Sequence, residues 1–133
     1  MDLSLKNKTA LICGSTQGIG LAIARELALL GANCILLARN EDRLKEAVAS
    51  LDSSLGQTHQ FAVADFQHTD QVKEVAVALA AAGTIHILVN NTGGPAPGLI
   101  QNAIADQFLN AFQQHLINNQ QLVQALLPGM KAA

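Results

Sequence analysis

The sequence contains no tyrosine and no tryptophan, and only 3% of its 133 residues are aromatic. The absence of tyrosine excludes any mechanism that needs a phenol from this chain. Charged side chains are also scarce, at 14%, where a typical soluble domain has roughly 25%. The net charge of −2 provides no basic surface for nucleic acid or for an anionic membrane, so neither is expected as a partner.

Cysteines are too few for a disulfide scaffold. Cys13 and Cys34 lie in or beside apolar segments, which predicts two buried thiols and a cytoplasmic protein. The amino-terminal segment MDLSLKNKTA has no apolar core of a secretory signal, and no uncharged apolar run is long enough for a membrane span. The four histidines show no metal-ligand spacing, so no metal is expected.

The hydrophobic half of the chain falls into four short apolar runs that alternate with helical patterns. The runs cover residues 9–13, 33–38, 60–64 and 85–90. Continuously apolar strands separated by helices of about 10 to 15 residues indicate a parallel sheet covered on both faces. With right-handed crossovers, the sequence predicts one doubly wound α/β domain over residues 1–133.

Helix faces and ends follow from the spacing of apolar residues. Gly31 and Gly83 are expected to end two helices, and Thr69 is expected to cap the third. The predicted stripes are Ile19, Ala22, Ile23, Leu27 and Leu30 in the first helix, and Leu44, Ala47, Val48, Leu51 and Leu55 in the second. A long final helix over residues 106–127 has the stripe Phe108, Leu109, Phe112, Leu116, Leu122, Val123 and Leu126. Its other faces are rich in Gln and Asn, which favours an interface.

A glycine-rich turn joins the first strand to the first helix, with the spacing G-x-x-x-G-x-G from Gly14 to Gly20. Gly14 permits a tight turn, Gly18 lets the backbone approach a pyrophosphate, and Gly20 allows close packing of helix on strand. Phosphates would then meet free N–H groups at the positive end of the helix. The strand–turn–helix context favours this interpretation over a purely structural turn.

The second strand ends in Arg39 and Asn40, where dinucleotide-binding folds place the group that contacts the adenosine ribose. A guanidinium can donate two hydrogen bonds to a 2′-phosphate, which predicts NADP(H) rather than NAD(H). Ser15 and Thr16 would add hydroxyls to the same phosphate. The alternative is that Arg39 is a solvated residue at a helix start.

Two further polar turns follow the third and fourth strands. Asp65 would accept from an adenine amino group while the backbone N–H of Phe66 meets a ring nitrogen; the alternative is an ordinary Asp turn. Asn91, Thr92 and Gly93 come at the same predicted edge of the sheet, where ligands of such folds bind. Their location makes them site candidates.

Taken together, these motifs resemble the short-chain dehydrogenase/reductase family, of the classical type that includes 3-oxoacyl-acyl-carrier-protein reductases. The matching segments are CGSTQGIG at 13–20, ARN at 38–40, ADF at 64–66, NNTG at 90–93 and LLPGM at 126–130. The resemblance implies a Rossmann fold with strand order 3-2-1-4 and hydride transfer between a nicotinamide dinucleotide and a small carbonyl or alcohol substrate. It implies cofactor contacts from Gly14, Ser15, Thr16, Gln17, Gly18, Ile19, Gly20, Arg39, Asn40, Asp65, Phe66, Asn91, Thr92 and Gly93.

The departures from the family concern catalysis. The family uses a Ser and a Tyr-x-x-x-Lys pair in a segment that follows the long helix, whereas this sequence stops at Ala133, before that segment, and has no Tyr. The family's Asn on the long helix is replaced by His115, counting back from Pro128. His115 would join a proton relay, or it is a partly buried helix histidine without function. Asn118 or Asn119 would fill the role only if the helix register shifts.

We therefore expect the cofactor-binding, N-terminal half of an NADP-dependent oxidoreductase that is catalytically incomplete as it stands. The alternative is a non-catalytic dinucleotide-binding or interaction protein built on the half-fold. An unpaired apolar edge on the fourth strand promotes association. The chain is thus expected to form a homo-oligomer, or to cover that edge with its long helix.

Overall fold

A computed structural model describes all residues from Met1 to Ala133 as a four-stranded parallel sheet with helices on both faces. The strands are β1 (Thr9–Cys13), β2 (Asn33–Ala38), β3 (Gln60–Val63) and β4 (Ile87–Val89). Their spatial order is β3-β2-β1-β4. The predicted Rossmann-type fold and strand order are confirmed, although β3 and β4 are shorter than their apolar runs.

Five α-helices accompany the strands. They are α1 (Gly18–Leu29), α2 (Glu41–Ala49), α3 (Thr69–Ala82), α4 (Ala105–Phe112) and α5 (Asn118–Ala132). A 3₁₀ turn (Ile100–Asn102) precedes α4, and a π-helical turn (Gln113–Ile117) joins α4 to α5. The predicted long helix is therefore present and continues past Pro128, but its middle is widened by one π turn that apolar spacing did not indicate.

The central strand β1 divides two hydrophobic layers because successive side chains of a strand face opposite sides. Ala10 and Ile12 pack with α1 and α2 on one face. Leu11 and Cys13 pack with α3 and α5 on the other. Because the four strands are parallel, their carboxyl ends meet at one edge of the sheet, between the two helical layers.

The buried face of α1 differs from the predicted stripe. Gly20, Ala24 and Ala28 face the sheet, whereas Ile19 is 71% exposed. Small residues allow the helix axis to approach the strands closely, so the buried face is the small one and the large apolar residues lie beside it. The prediction that Ile19 belongs to the core stripe was wrong.

Two other local predictions need correction. The N-cap of α3 is His68, and Thr69 is the first helical residue, with its hydroxyl buried and unpaired in the chain. The helix α2 ends at Ala49, so Leu51 remains buried beyond the helix end while Leu55 is exposed. The predicted cap at Thr69 is one residue too late. Thr is a common capping residue, so a Thr next to the helix start is predicted as the cap itself.

The long helical segment is apolar on two different surfaces. Leu122 and Leu126 of α5 are buried against α3 and the sheet. The large side chains of α4 and the π turn are instead exposed, namely Phe108, Leu109, Phe112 and Leu116. Because α5 packs on the face of the sheet, it does not pair with the outer edge of β4, whose only strand partner is β1. The long helix therefore does not cover the open edge of β4, and that alternative of the prediction was wrong.

Candidate functional site

A cavity of about 480 Å³ lies at the carboxyl edge of the sheet, where the loops after the four strands converge. Such crevices are where open α/β sheets bind ligands. Its wall contains Gly14, Thr16, Gln17, Gly18, Ile19, Ala38, Arg39, Ala64, Asp65, Phe66, Gln67, Asn91, Thr92, Gly93, Gly94 and Gln114. All four sequence motifs that were identified separately thus meet in one cavity.

The glycine-rich turn packs tightly against the loop after β4. A Cβ on Gly14 would lie 2.6 Å from the carbonyl oxygen of Asn91, and one on Gly20 would overlap the carbonyl of Gly14. Asn91 in turn donates its side-chain amide to the carbonyls of Cys13 and Gly14, at 3.3 Å each. These contacts fix the turn at the end of β1 against the turn at the end of β4.

Gly18 has open surroundings, unlike Gly14 and Gly20, although its φ of +57° equals that of Gly14. No atom lies within 4 Å of the position where its Cβ would be. It begins α1, whose first turn has no side-chain cap and no acidic residue. The first N–H groups of a helix have no intrahelical partners, so this open backbone surface suits an anion.

Three of the predicted cofactor residues do not lie in the cavity wall. Ser15 is fully buried with its hydroxyl unpaired in the chain, and Gly20 serves the packing of α1 on β1. The side chain of Asn40 caps α2 by accepting from the N–H of Arg43 at 3.0 Å. The observed role of Asn40 is therefore to cap α2. Its predicted contact with a cofactor is not supported by a place in the cavity wall.

Two guanidinium groups lie near the end of β2. Arg39 is exposed in the cavity wall. Arg43, which was not among the predicted cofactor residues, is exposed and donates from Nη1 to Gln17 Oε1 at 3.5 Å. The signal that was missed is its place in the first turn of a helix that starts at the cavity.

Three hydrogen bonds that use a side chain hold the loop after β3. The Asp65 N–H donates to Gln71 Oε1 at 3.0 Å, and Asp65 Oδ1 accepts from the N–H of Gln67 at 2.9 Å. The carbonyl of Phe66 accepts from Asn118 Nδ2 at 2.6 Å. The N–H of Phe66 and the second carboxylate oxygen of Asp65 have no partner within the chain, so both remain available to a ligand.

His115 lies behind the cavity wall and contacts it through Thr92. Its Nδ1 and the Thr92 hydroxyl share a hydrogen bond of 2.7 Å, and its Nε2 is buried without a partner in the chain. The π turn that contains His115 is further stabilised by Asn119, whose amide donates to the His115 carbonyl at 2.7 Å. Neither Asn118 nor Asn119 therefore takes the place of His115 beside Thr92.

Five wall residues were not predicted. Ala38 is the last residue of β2, Ala64 follows β3, and Gln67 and Gly94 each extend a predicted motif by one residue. All four could have been included because they adjoin predicted residues. Gln114 comes from the π turn and carried no signal in the sequence. Gln67, Gly94 and Gln114 also border a second cavity of about 550 Å³, formed by the loop 94–103 and α4.

A buried thiol lies beneath the cavity floor. Burial raises the pKa of the Cys13 thiol to about 12, and a hydrogen bond from the Asn91 backbone to the thiol offsets this only in part. A thiol with so high a pKa stays protonated near neutrality and is a poor nucleophile. Cys13 is therefore a packing residue at the end of β1.

The donors of this cavity fit a dinucleotide. They comprise an open helix start for phosphate, a guanidinium for a further phosphate, and an N–H beside a carboxylate oxygen for a base edge. No acidic residue lies in the first turn of α1 to repel a phosphate.

The fold and cavity define a Rossmann-type α/β domain. The sequence profile of the family described as short chain dehydrogenase matches residues 8–133. The chain therefore belongs to the short-chain dehydrogenase/reductase family.

No helix has both the length and the apolar character needed to cross a membrane.

Several known proteins are similar. The 3-oxoacyl-[acyl-carrier-protein] reductase FabG of Chlamydia muridarum is 32% identical over 117 residues, which is 87% of this chain and 47% of that protein. Dehydrogenase/reductase SDR family member 7B of Rattus norvegicus is 35% identical, over 95% of this chain and 41% of that protein.

Among solved structures, L-sorbose reductase from Gluconobacter frateurii, complexed with NADPH and L-sorbose, superposes with a TM-score of 0.89 at 34% identity. That similarity covers 99% of this chain and 51% of the reductase chain. This chain thus spans about half the length of the relatives that it matches.

Proposed function

We propose that this chain is the NADP(H)-binding part of a short-chain dehydrogenase/reductase that transfers hydride between the nicotinamide and a carbonyl or alcohol. One observation carries the proposal: the cavity joins the glycine-rich turn, Arg39, the Asp65 loop and the Thr92 loop in one wall. The similar L-sorbose reductase was solved with NADPH, which supports the choice of cofactor class.

The glycine-rich turn would hold the pyrophosphate. Gly18 presents backbone with open space where a side chain would stand, and the first turn of α1 supplies N–H donors. Positive partial charge at a helix start stabilises a phosphate without a basic side chain.

Arg39 would bind the 2′-phosphate that distinguishes NADP(H) from NAD(H). It lies in the wall, and no carboxylate of the wall lies at the end of β2, where one would bind the ribose hydroxyls of NAD(H). Arg43, tethered to Gln17, adds positive charge on the same side of the cavity. A forked guanidinium–phosphate contact is among the strong hydrogen bonds in proteins.

The Asp65 loop would bind the adenine. The second carboxylate oxygen of Asp65 and the N–H of Phe66 have no partner within the chain. The first would accept from the exocyclic amine, and the second would donate to a ring nitrogen. An acceptor beside a donor is complementary to the amine and ring nitrogen of adenine, in the way that bases are read by their edges.

We propose that this chain binds cofactor without turning over substrate. A bound dinucleotide would supply hydride, but a carbonyl also needs a proton, and this chain has no tyrosine to give one. His115 is held by Thr92 through Nδ1, which leaves Nε2 as the nitrogen that would join a proton relay. A non-catalytic dinucleotide-binding role is the alternative favoured by the same absence of tyrosine.

We also propose that the chain works as a homo-oligomer in the cytoplasm. The exposed apolar side chains of α4 and the π turn (Phe108, Leu109, Phe112 and Leu116) and the unpaired edge of β4 favour association. The two buried free cysteines suit a reducing compartment. Sedimentation as a monomer at tens of micromolar would contradict the oligomer.

The test is a comparison of NADPH and NADH affinity by calorimetry, in the unmodified chain and in Arg39→Ala. The unmodified chain should prefer NADPH, and Arg39→Ala should weaken NADPH binding by about 10-fold or more, because a hydrogen bond to a charged group contributes about 1.5–3 kcal/mol. Binding of NADH should change little. Arg25→Ala removes an exposed guanidinium of α1 outside the wall and serves as the matched control. Equal affinities for the two cofactors would contradict the assignment of Arg39.

A further inference from the structure

Two amide side chains from different helices hold the loop that follows β3. Asn118 at the start of α5 donates to the carbonyl of Phe66 at 2.6 Å. Gln71 in the first turn of α3 accepts from the N–H of Asp65 at 3.0 Å. Neither residue lies in the cavity wall, so neither would touch a bound ligand directly.

The peptide unit between Phe66 and Gln67 is fixed at both of its polar groups. Its carbonyl is bonded to Asn118, and its N–H is bonded to Asp65 Oδ1 at 2.9 Å. Because Gln71 holds the N–H of Asp65, the peptide units on either side of the Asp65–Phe66 pair are both constrained. The unbonded N–H of Phe66 and the free oxygen of Asp65 are therefore presented in one arrangement.

Burying Asn118 in the core lowers the stability of the fold. It is fully buried, and its side-chain oxygen has no partner in the chain. A buried polar group that is only partly hydrogen-bonded costs stability, and an apolar side chain would avoid that cost. Leu122, one turn further along the same helix, shows that this face of α5 otherwise packs with apolar residues. The contact with Phe66 is the observed use of Asn118.

We propose that Asn118 and Gln71 are positioning residues that make the Asp65–Phe66 loop selective for adenine. This inference rests on the proposed function, since it assigns the base of the same dinucleotide. The adenine edge has an amine that donates and a ring nitrogen that accepts. Hypoxanthine has a carbonyl that accepts and a ring N–H that donates, so both groups of the fixed loop would face a like partner.

The experiment compares the affinities of NADP⁺ and of its hypoxanthine analogue by calorimetry, using the 133-residue chain. The variants are Asn118→Ala and the exposed Gln71→Ala, with Gln120→Ala as control because Gln120 is an exposed amide of α5. NAD⁺ is measured in parallel, because preference for the 2′-phosphate depends on Arg39 and not on this loop.

The unmodified chain should prefer adenine by about 10-fold or more, since two hydrogen bonds are mismatched in the analogue. Asn118→Ala and Gln71→Ala should each reduce that preference by roughly 3-fold or more, while the preference for NADP⁺ over NAD⁺ stays the same. Gln120→Ala should change neither ratio. Gln71→Ala decides the matter if Asn118→Ala does not fold, because Gln71 is exposed.

An unchanged adenine preference in the folded variants would overturn the inference, as would an equal loss of affinity for all three nucleotides, which indicates a merely structural role. If the unmodified chain binds none of them, the proposed function fails. If it binds and selects NADP⁺ but the variants behave as the control does, only the present inference fails.

Discussion

The glycine-rich turn contains two glycines that serve different purposes, and substituting alanine at each should separate folding from binding. A Cβ on Gly20 would overlap the Gly14 carbonyl and lie 2.9 Å from the side-chain nitrogen of Asn91. A Cβ on Gly18 would meet nothing within 4 Å. Only the first substitution must displace α1 from β1.

The sizes of the two effects follow from these surroundings. Overpacking against a backbone that cannot rotate away costs about 3 kcal/mol or more, at the upper end of the usual range. Gly18→Ala should lower the free energy of unfolding only by the strain of a non-glycine residue at positive φ, about 1–2 kcal/mol. With about 4 °C of melting temperature per kcal/mol for a domain of this size, Gly20→Ala should melt about 12 °C lower and Gly18→Ala about 4–8 °C lower.

Thermal and urea unfolding of both variants, followed by NADPH titration, tests this reasoning. Gly18→Ala should remain folded and lose affinity, because its methyl group occupies the surface that phosphate approaches. Gly20→Ala should lose stability first. The reasoning is refuted if Gly20→Ala is as stable as the unmodified chain, or if Gly18→Ala is the less stable of the two.

Two other predictions concern stability. Burial raises the pKa of Cys13 from 9.0 to about 12 and that of Cys34 to about 11, so the folded state keeps protons that the unfolded chain releases. As the pH rises from 9 to 12, Cys13 should contribute a fall of up to about 4 kcal/mol in the free energy of unfolding, and denaturant titrations should show a smaller decline in Cys13→Ala, which keeps the contribution of Cys34. Asn40 caps α2 by accepting from the Arg43 N–H, so Asn40→Ala should lower the free energy of unfolding by about 1 kcal/mol, and an unchanged value would show that the cap contributes nothing.

The strands and the cavity were largely predictable from the sequence. Continuous apolar runs such as TALIC and NCILLA are readable because a buried parallel strand is apolar on both faces. The motifs that follow those strands must then converge, because parallel strands end at one edge. This is why Arg39, Asp65 and Thr92 were predicted together and are found in one wall.

Other features depend on packing that apolar spacing does not record. The buried face of α1 is made of Gly20, Ala24 and Ala28 because small side chains let the helix approach the sheet closely, whereas a pattern of large apolar residues marks a different face. The π turn is a local change of helix geometry between α4 and α5. The contact from Asn118 to Phe66 joins residues that lie 52 positions apart in the sequence. A polar residue on an apolar face, such as Asn118, is the one signal that could have indicated such a contact.

The most direct test of the central claim is an NMR titration of the ¹⁵N-labelled chain with NADPH. Saturable shifts are predicted for the amides of the glycine-rich turn, for Arg39, for Phe66 and for Thr92, which lie in the cavity wall. The amides of the adjoining cavity formed by the loop 94–103 and α4 should move less. Absence of saturable shifts, or shifts centred on that second cavity, would contradict the account.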